Sequence, residues 1–580
     1  MNFLPIGDLE IKIDLSILRR ISQRHSVLLY QHEGLIYADN TRIGNRNNVN
    51  TEFELFFEKS RLTRCDLTLT PEYSCPLIVI EDIISHPHKW PAAEKLWAIG
   101  CESMTKQQLK ALQTNHNTEN IYVHFDTSVL ENQHNYVDPL IYLFRGIHCG
   151  HEKLIVLLQF KTIHMGIWGG GIVERDNLIQ GNQIYILRNC PDSISFFSLI
   201  CSEAMNFPEA MQQNQQAIQG WIDCPFLIYN PQLNPDPTHQ NFTDFRKFVF
   251  RFSKKEIISL NWNNKSKIGD ADFMKYKTSR SGFYIQSEEI DLSPARIKKN
   301  HMRGMYYFFY GIKKHAFLLN STPTVFHVAI PPVDIIYALN QQIRREGPEL
   351  LETCDFNAAR NAIETLPNEI SDQHVNYLTG VGCTCNFLIT HQNCILEKEK
   401  LVCLTSGKID KELGSTWSNI PNIFSIKINE DSEVNRRITF TEDTYPDSLA
   451  QRSNYIDTIA VLNDYVLPDK DVYPDSIADL KTDELVIGYN ADSNADNYKF
   501  NVLTITGERR IATICFIGTM PDGVIEKTFD FLQAMFDKDN NHKRRVVVFY
   551  KRGNTILSKY DLNAGNIAVT SDFEGPTFLK

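Results

Sequence analysis

A carboxylate, an ammonium and a thiol each follow a strongly apolar run in this chain: Glu72 after CDLTLTP, Lys161 after KLIVLLQF and Cys201 after SISFFSLI. Brought together, these groups would form a nucleophile, its proton acceptor and a charge stabiliser. A thiol with an ordinary pKa of about 8.5 is mostly protonated at neutral pH, so it needs a neighbouring base or cation to attack. The Glu72 carboxylate can take that proton and return it to a leaving amine. The Lys161 ammonium can stabilise the oxyanion of a tetrahedral intermediate. Each residue also has a plainer reading: Glu72 as a helix cap, Lys161 as a solvated strand end, Cys201 as a buried structural thiol.

The runs that must position these groups read as strands. CDLTLT alternates and is expected to stop at Thr70-Pro71-Glu72, because proline has no N–H for the ladder. PAAEKLWAIGCES leads to a strand ending near Cys101. ENIYVHF, KLIVLLQF, SISFFSLIC, CPFLIYNP and EIISLNWN follow, the last two ending at Asn230 and Asn261. Runs this continuously apolar suit strands buried on both faces. TEFELFFEKSRL, PEAMQQNQQAIQGW and TDFRKFVFRF read as helices between them. Alternating strands and helices indicate an α/β fold, whose ligands gather at the carboxyl ends of the strands.

Residues 1–25 read as a lead-in with one short amphipathic helix, Leu15 to Ile21. Residues 26–332 form the first domain. After Pro331-Pro332 a helical stretch, DIIYALNQQIRREGPELLE, opens a separate C-terminal α+β domain, 333–580. Its expected strands are TIAVLNDYV, ELVIGYN, KFNVLTITG, IATICFIG, RRVVVFY and NAGNIAVT. Its one clear helix, IEKTFDFLQAMFDK, carries Phe529, Leu532 and Phe536 on a core-facing side.

The 580 residues include 42% hydrophobic and 22% charged residues, an ordinary globular composition. The net charge of −11 argues against a non-specific nucleic-acid binder, which needs cations to neutralise phosphates. No run approaches the ~20 apolar residues that span a bilayer. The N-terminus carries acids where a signal peptide needs a basic flank. The 13 scattered cysteines then read as reduced thiols, and the expected location is the cytoplasm.

The segments resemble the nitrilase, or carbon–nitrogen hydrolase, superfamily over about residues 26–330. Cys65 to Glu72 resembles that family's aspartate–apolar strand–Pro-Glu motif. Phe160-Lys161-Thr162-Ile163-His164 resembles its lysine motif, with Trp168-Gly169-Gly170-Gly171 downstream. Leu199 to Asn206 resembles its nucleophile motif, and Asn230-Pro231-Gln232 and Leu260-Asn261-Trp262 match the two strands that follow. The order Glu, Lys, Cys and the 40 positions from Lys161 to Cys201 agree with the family. The 89 positions from Glu72 to Lys161 are longer and imply an insertion around 104–140.

The resemblance implies an αββα sandwich, paired in an oligomer, and a thiol hydrolase of non-peptide amides or nitriles. Glu72, Lys161 and Cys201 would be catalytic, with no cofactor or metal. His164, Glu174, Glu203 and Asn230 would contact substrate. Many members carry a second glutamate soon after the lysine; here Met165 and Gly166 stand there, and either the later Glu174 substitutes or the chemistry is weakened. Glu203 either touches substrate or ties down the Cys201 loop. Loops 104–140 and 264–300 would set specificity. Nitrilase-like domains also occur in bacterial antiviral defence proteins, sometimes with reverse transcriptases. The alternative reading is therefore a scaffold or sensor whose C-terminal domain binds a reverse transcriptase, another protein or nucleic acid.

Other candidates read as structural. Cys383, Cys385, His391, Cys394 and Cys403 lack the usual C-x₂₋₄-C pairing and suit reduced thiols around a β-hairpin better than zinc. Gly169-Gly170-Gly171 lacks the rest of a phosphate-binding fingerprint. Arg246, Lys247 and the run Lys543-Arg544-Arg545 read as surface charges.

Overall fold

The computed structural model describes residues 1–580 except 22, 169–170, 276–277, 287–289, 292–293, 312, 336–344, 368–372, 391–394, 409–436, 439–445, 490–497, 506–511, 537–539 and 562–580. The fold is mixed α/β, in two compact units. The first comprises Met1–Leu292, Arg303–Tyr307 and Ile312–Asn368; the second comprises Ser293–Met302, Phe308–Gly311 and Glu369–Lys580.

The larger sheet of the first unit runs, edge to edge, through Ala362–Thr365, Glu349–Asn357, Val325–Ile330, His25–Tyr30, Leu67–Cys75, Leu96–Cys101, Pro139–His148, His151–Phe160 and Ile121–Phe125. The second sheet passes through Asn2–Pro5, Gln183–Arg188, Ser195–Ser198, Phe226–Pro231, Lys255–Leu260, Gly282–Gln286 and Lys314–Leu319. Side chains alternate across a strand, and both sets are used. In His151–Phe160, Leu154, Val156, Leu158 and Phe160 pack into a core with Phe53, Phe56, Ile80, Ile83, Leu109 and Leu112 of three covering helices. Gln159 faces the other way and donates to the Ser198 carbonyl of the second sheet at 3.0 Å. Tyr142 and Phe196 meet edge to face between the sheets, with centroids 6.3 Å apart. The second sheet is covered in turn by Glu203–Gln213 and Gln240–Val249, whose Phe207 and Phe245 make an edge-to-face pair. Both faces of the central strands are therefore dry, which is why they read as continuous apolar runs.

Several expectations are corrected. The Glu72 strand does not stop at Pro71: it continues to Cys75 through an irregularity between Thr70 and Cys75, and proline sits at the break in the ladder. Leu15–Ile21 forms only a 3₁₀ turn, Ser16–Leu18. The helix expected from Pro208 to Trp221 spans Glu203–Gln213. The 104–140 insertion is no plain loop: it contains the helix Lys106–His116 and the edge strand Ile121–Phe125. The helix expected after Pro332 falls partly on 336–344, outside the described residues; its GPELLE end is the strand Glu349–Asn357, paired with Val325–Ile330. The first unit thus extends past the expected boundary at 333.

In the second unit, Thr513–Phe516 and Val546–Arg552 pair in parallel around the helix Asp522–Ala534, and Thr555–Lys559 adds an antiparallel edge. TIAVLNDYV is helical rather than extended, within Pro446–Val461 and the turn that follows it. Its buried residues Ile459, Leu462 and Val466, with Tyr455 and Ile456 just before it, fall at helical spacing. Cys385 and Cys403 lie beside and within helices, Asn386–Thr390 and Ile395–Thr405, not around a hairpin. Two presumed surface arginines are buried. Arg246 packs over the Tyr284 ring in the first unit, and Arg545 forms a two-pronged pair with Asp479 in the second. His391, Cys394, Gly169, Gly170 and the NAGNIAVT segment lie outside the described residues. Among the described residues no helix is long and apolar enough to cross a membrane.

Candidate active site

The irregularity in Leu67–Cys75 swings Glu72 out of the ladder. Tyr73 takes a left-handed backbone, φ 55°, to turn the chain there. The neighbouring strand accommodates it with Gly100: a Cβ at that position would lie 2.0 Å from the Pro71 carbonyl oxygen. Trp262 locks the displaced segment, its indole N–H donating to the Glu72 carbonyl at 2.7 Å.

Lys161 follows the hairpin Pro139–His148/His151–Phe160. The hairpin register pairs Pro139 with Phe160, so Asp138 falls opposite Lys161, whose amide donates to the Asp138 carbonyl at 3.0 Å. The Lys161 ammonium is 1% exposed and donates to Glu72 Oε1 and to Glu174 Oε1, each at 2.6 Å. A carboxylate oxygen of Asp138 lies 3.9 Å away. Burial opposes the lysine's charge, but Glu174 and Glu72 outweigh it and hold the ammonium well above its ordinary pKa. Burial pushes the Glu72 carboxyl up, against the pull of Lys161.

Glu174 stands in the six-residue helix Ile172–Asn177 and reaches back into the pocket. Tyr73 donates to its Oε1 at 3.0 Å and the Met165 amide to its Oε2 at 2.9 Å. It therefore occupies a position beside the lysine despite its distance along the chain.

Cys201 sits at an elbow between the strand Ser195–Ser198 and the helix Glu203–Gln213. Its φ of 42° lies in the left-handed region, which costs a non-glycine residue about 1–2 kcal/mol and is held only where surroundings impose it. Those surroundings are visible. The Cys201 amide donates to the Pro231 carbonyl at 2.8 Å, and the Asn230 side chain donates to the Leu199 carbonyl at 2.6 Å. Glu203 accepts from the amides of Ile200 and Thr162, both at 2.6 Å, tying the cysteine loop to the lysine loop. Burial pushes the Cys201 thiol well above its ordinary pKa, the Glu72 carboxylate adds to this, and Lys161 opposes it. The resting group is a neutral thiol in electrostatic contact with its neighbouring acid and amine.

The structure thus brings Glu72, Lys161 and Glu174 into one buried cluster, and the buried Cys201 thiol is in electrostatic contact with all three. His164 stands half-buried at its edge; burial lowers its imidazole, and Glu174 and Lys161 are its charged neighbours. The polar atoms of Glu203 and Asn230 are engaged with the protein and brace the elbow, which for Glu203 is the loop-tying alternative given above and for Asn230 differs from the expected substrate contact. Tyr73, Gly100 and Asp138 are additions that the linear pattern did not single out. The oxygens of Glu72, Asp138 and Glu174 come within 4.8 Å of one another, a set that suits a cation, and the Lys161 ammonium bonds two of them.

No family model matches the chain, and no curated protein matches it significantly. Among solved structures it is similar to a CN-hydrolase superfamily protein from Xanthomonas campestris, crystallised with an arsenic adduct in its active site. The two share 12% identity with a TM-score of 0.27, over 45% of this chain and 82% of that one.

Proposed function

We propose that the first unit is a nitrilase-like αββα domain that hydrolyses non-peptide carbon–nitrogen bonds through Cys201, Glu72 and Lys161. What supports this reading is the buried Lys161 ammonium bonded to two glutamates, with the buried Cys201 thiol in electrostatic contact with Lys161 and Glu72. The thiol sulfur attacks an amide carbon while its proton passes to the Glu72 carboxylate. Lys161 steadies the oxyanion, and Glu72 returns the proton to the departing amine as the carbon–nitrogen bond breaks. Water, deprotonated by Glu72, then cleaves the thioester; the acid leaves and the sulfur regains a proton. Glu174 holds Lys161 in place throughout.

The test is ammonia release from a panel of short amides and nitriles. Cys201→Ala should abolish release. Glu72→Gln should lower it by about 10²–10⁴-fold, the usual worth of a positioned general base. Undiminished release from either variant defeats the proposal. Rate of thiol labelling alone is a poor criterion, because Cys149 and Cys190 are exposed while Cys201 is buried. The informative reading is that Glu72→Gln slows iodoacetamide labelling of Cys201 and leaves Cys149 and Cys190 unchanged.

A further inference from the structure

The pocket holds three carboxyls for one ammonium. With all three ionised and the thiol neutral, it would carry a net charge of two minus in a dry interior, and buried groups in that situation take up a proton instead. The hydrogen bonds show which carboxyl does so. Glu174 accepts from Lys161, Tyr73 and the Met165 amide. Glu72 accepts from Lys161 and from the Leu233 amide. Both are satisfied as anions. Asp138 is 1% exposed, and neither of its carboxylate oxygens has a hydrogen-bond donor among the described residues. One of its oxygens lies within 4.8 Å of an oxygen of Glu72, and two such acceptors bond only if one of them carries a hydrogen.

We propose that Asp138 stands in the pocket as a carboxylic acid whose O–H donates to Glu72, keeping Glu72 an anion ready to accept the Cys201 proton. This rests on the hydrolase reading above and adds a positioning residue to it. Every group facing Asp138 pushes the same way except one. Burial and the charges of Glu72 and Glu174 favour the protonated acid, and Lys161 opposes them. Tyr73, Tyr136 and Cys101 also feel its charge and stay neutral in their own buried positions. Without the Asp138 proton, Glu72 loses a donor and becomes the better proton trap itself, and a protonated Glu72 cannot activate the thiol.

The test uses the full chain, with iodoacetamide labelling of the Cys201 peptide followed by mass spectrometry from pH 6 to pH 9. Asp138→Ala should slow labelling more than tenfold at pH 7. Asp138→Asn, whose amide N–H replaces the acid O–H, should restore the rate to within about threefold of the unaltered protein. The proposal is overturned if Asp138→Asn is as slow as Asp138→Ala, or labels more than threefold faster than the unaltered protein, as loss of a resident negative charge would make it. If Asp138→Ala does not fold, Asp138→Asn decides alone: labelling more than threefold slower or faster than in the unaltered protein overturns the proposal. Failure of the hydrolase reading looks different: Cys201 labelling in the unaltered protein would then ignore Glu72→Gln.

Discussion

Two sets of buried charges, one in each unit, differ in stoichiometry. In the second unit Arg545 meets Asp479 with both guanidinium prongs on the carboxylate at 3.0–3.1 Å. In the first, a single ammonium serves Glu72 and Glu174, and a third acid stands near it. A matched pair cancels its own charge and can be exchanged for apolar side chains with little effect on stability. A surplus of acids in a dry pocket cannot cancel, so protons must move in and out of it. Under the proposed hydrolase reading, that surplus separates the first set, as chemistry, from the second, as architecture.

The sharpest way to break this comparison is Lys161→Met. It strands the acids without a counter-ion and should destabilise the protein by about 3–5 kcal/mol, unless they neutralise by taking up protons. It should also abolish amide hydrolysis; denaturant unfolding and ammonia release check the two effects. Arg545→Met strands one acid and should cost about 3 kcal/mol, with Arg545→Met/Asp479→Leu recovering most of it. Combining Lys161→Met with Glu72→Leu should recover stability but no activity, and recovery of activity would erase the distinction.

A pH series sharpens it further. Burial raises the Glu203 carboxyl to about 7, against the pull of the Ile200 and Thr162 amides. The folded value lies above the ordinary 4.5, so the native state binds this proton more tightly. The resulting stability is fully present below about pH 4.5 and is lost as pH rises through about 7. Glu203→Gln has no such dependence. The gap in unfolding free energy between the two proteins should therefore narrow from pH 5 to pH 8, by up to about 3 kcal/mol. The smallest effect belongs to Tyr73→Phe. It removes one hydrogen bond to Glu174, worth about 1 kcal/mol, and should lower the hydrolysis rate without changing the order of substrate preference.

Much of the site was legible in the chain because its local signals are strong. Glu72, Lys161 and Cys201 interrupt long apolar runs, and a polar residue at the end of a buried strand has to be held by something. Asp138 was legible in principle. PLIYLF and KLIVLLQF flank a turn, and an antiparallel hairpin of that register sets the residue before the first run opposite the residue after the second. Gly100 was not, since its need arises from the Pro71 carbonyl of a neighbouring strand. The surface reading failed for Arg246 and Arg545 because composition cannot say which segment will fold over a charge. The strand reading failed for TIAVLNDYV because a short apolar run fits both periods until its longer context is weighed.

The amino-acid sequence by itself determined the α/β class, most of the strands and the three groups at their ends, since these follow from short-range hydrophobic pattern. Only the tertiary structure decided that Glu174 returns to Lys161, that Glu203 and Asn230 brace the cysteine elbow, and that Gly100 makes room for the Pro71 carbonyl. Those outcomes depend on which distant segments come to lie side by side, and no local pattern encodes the distance between them.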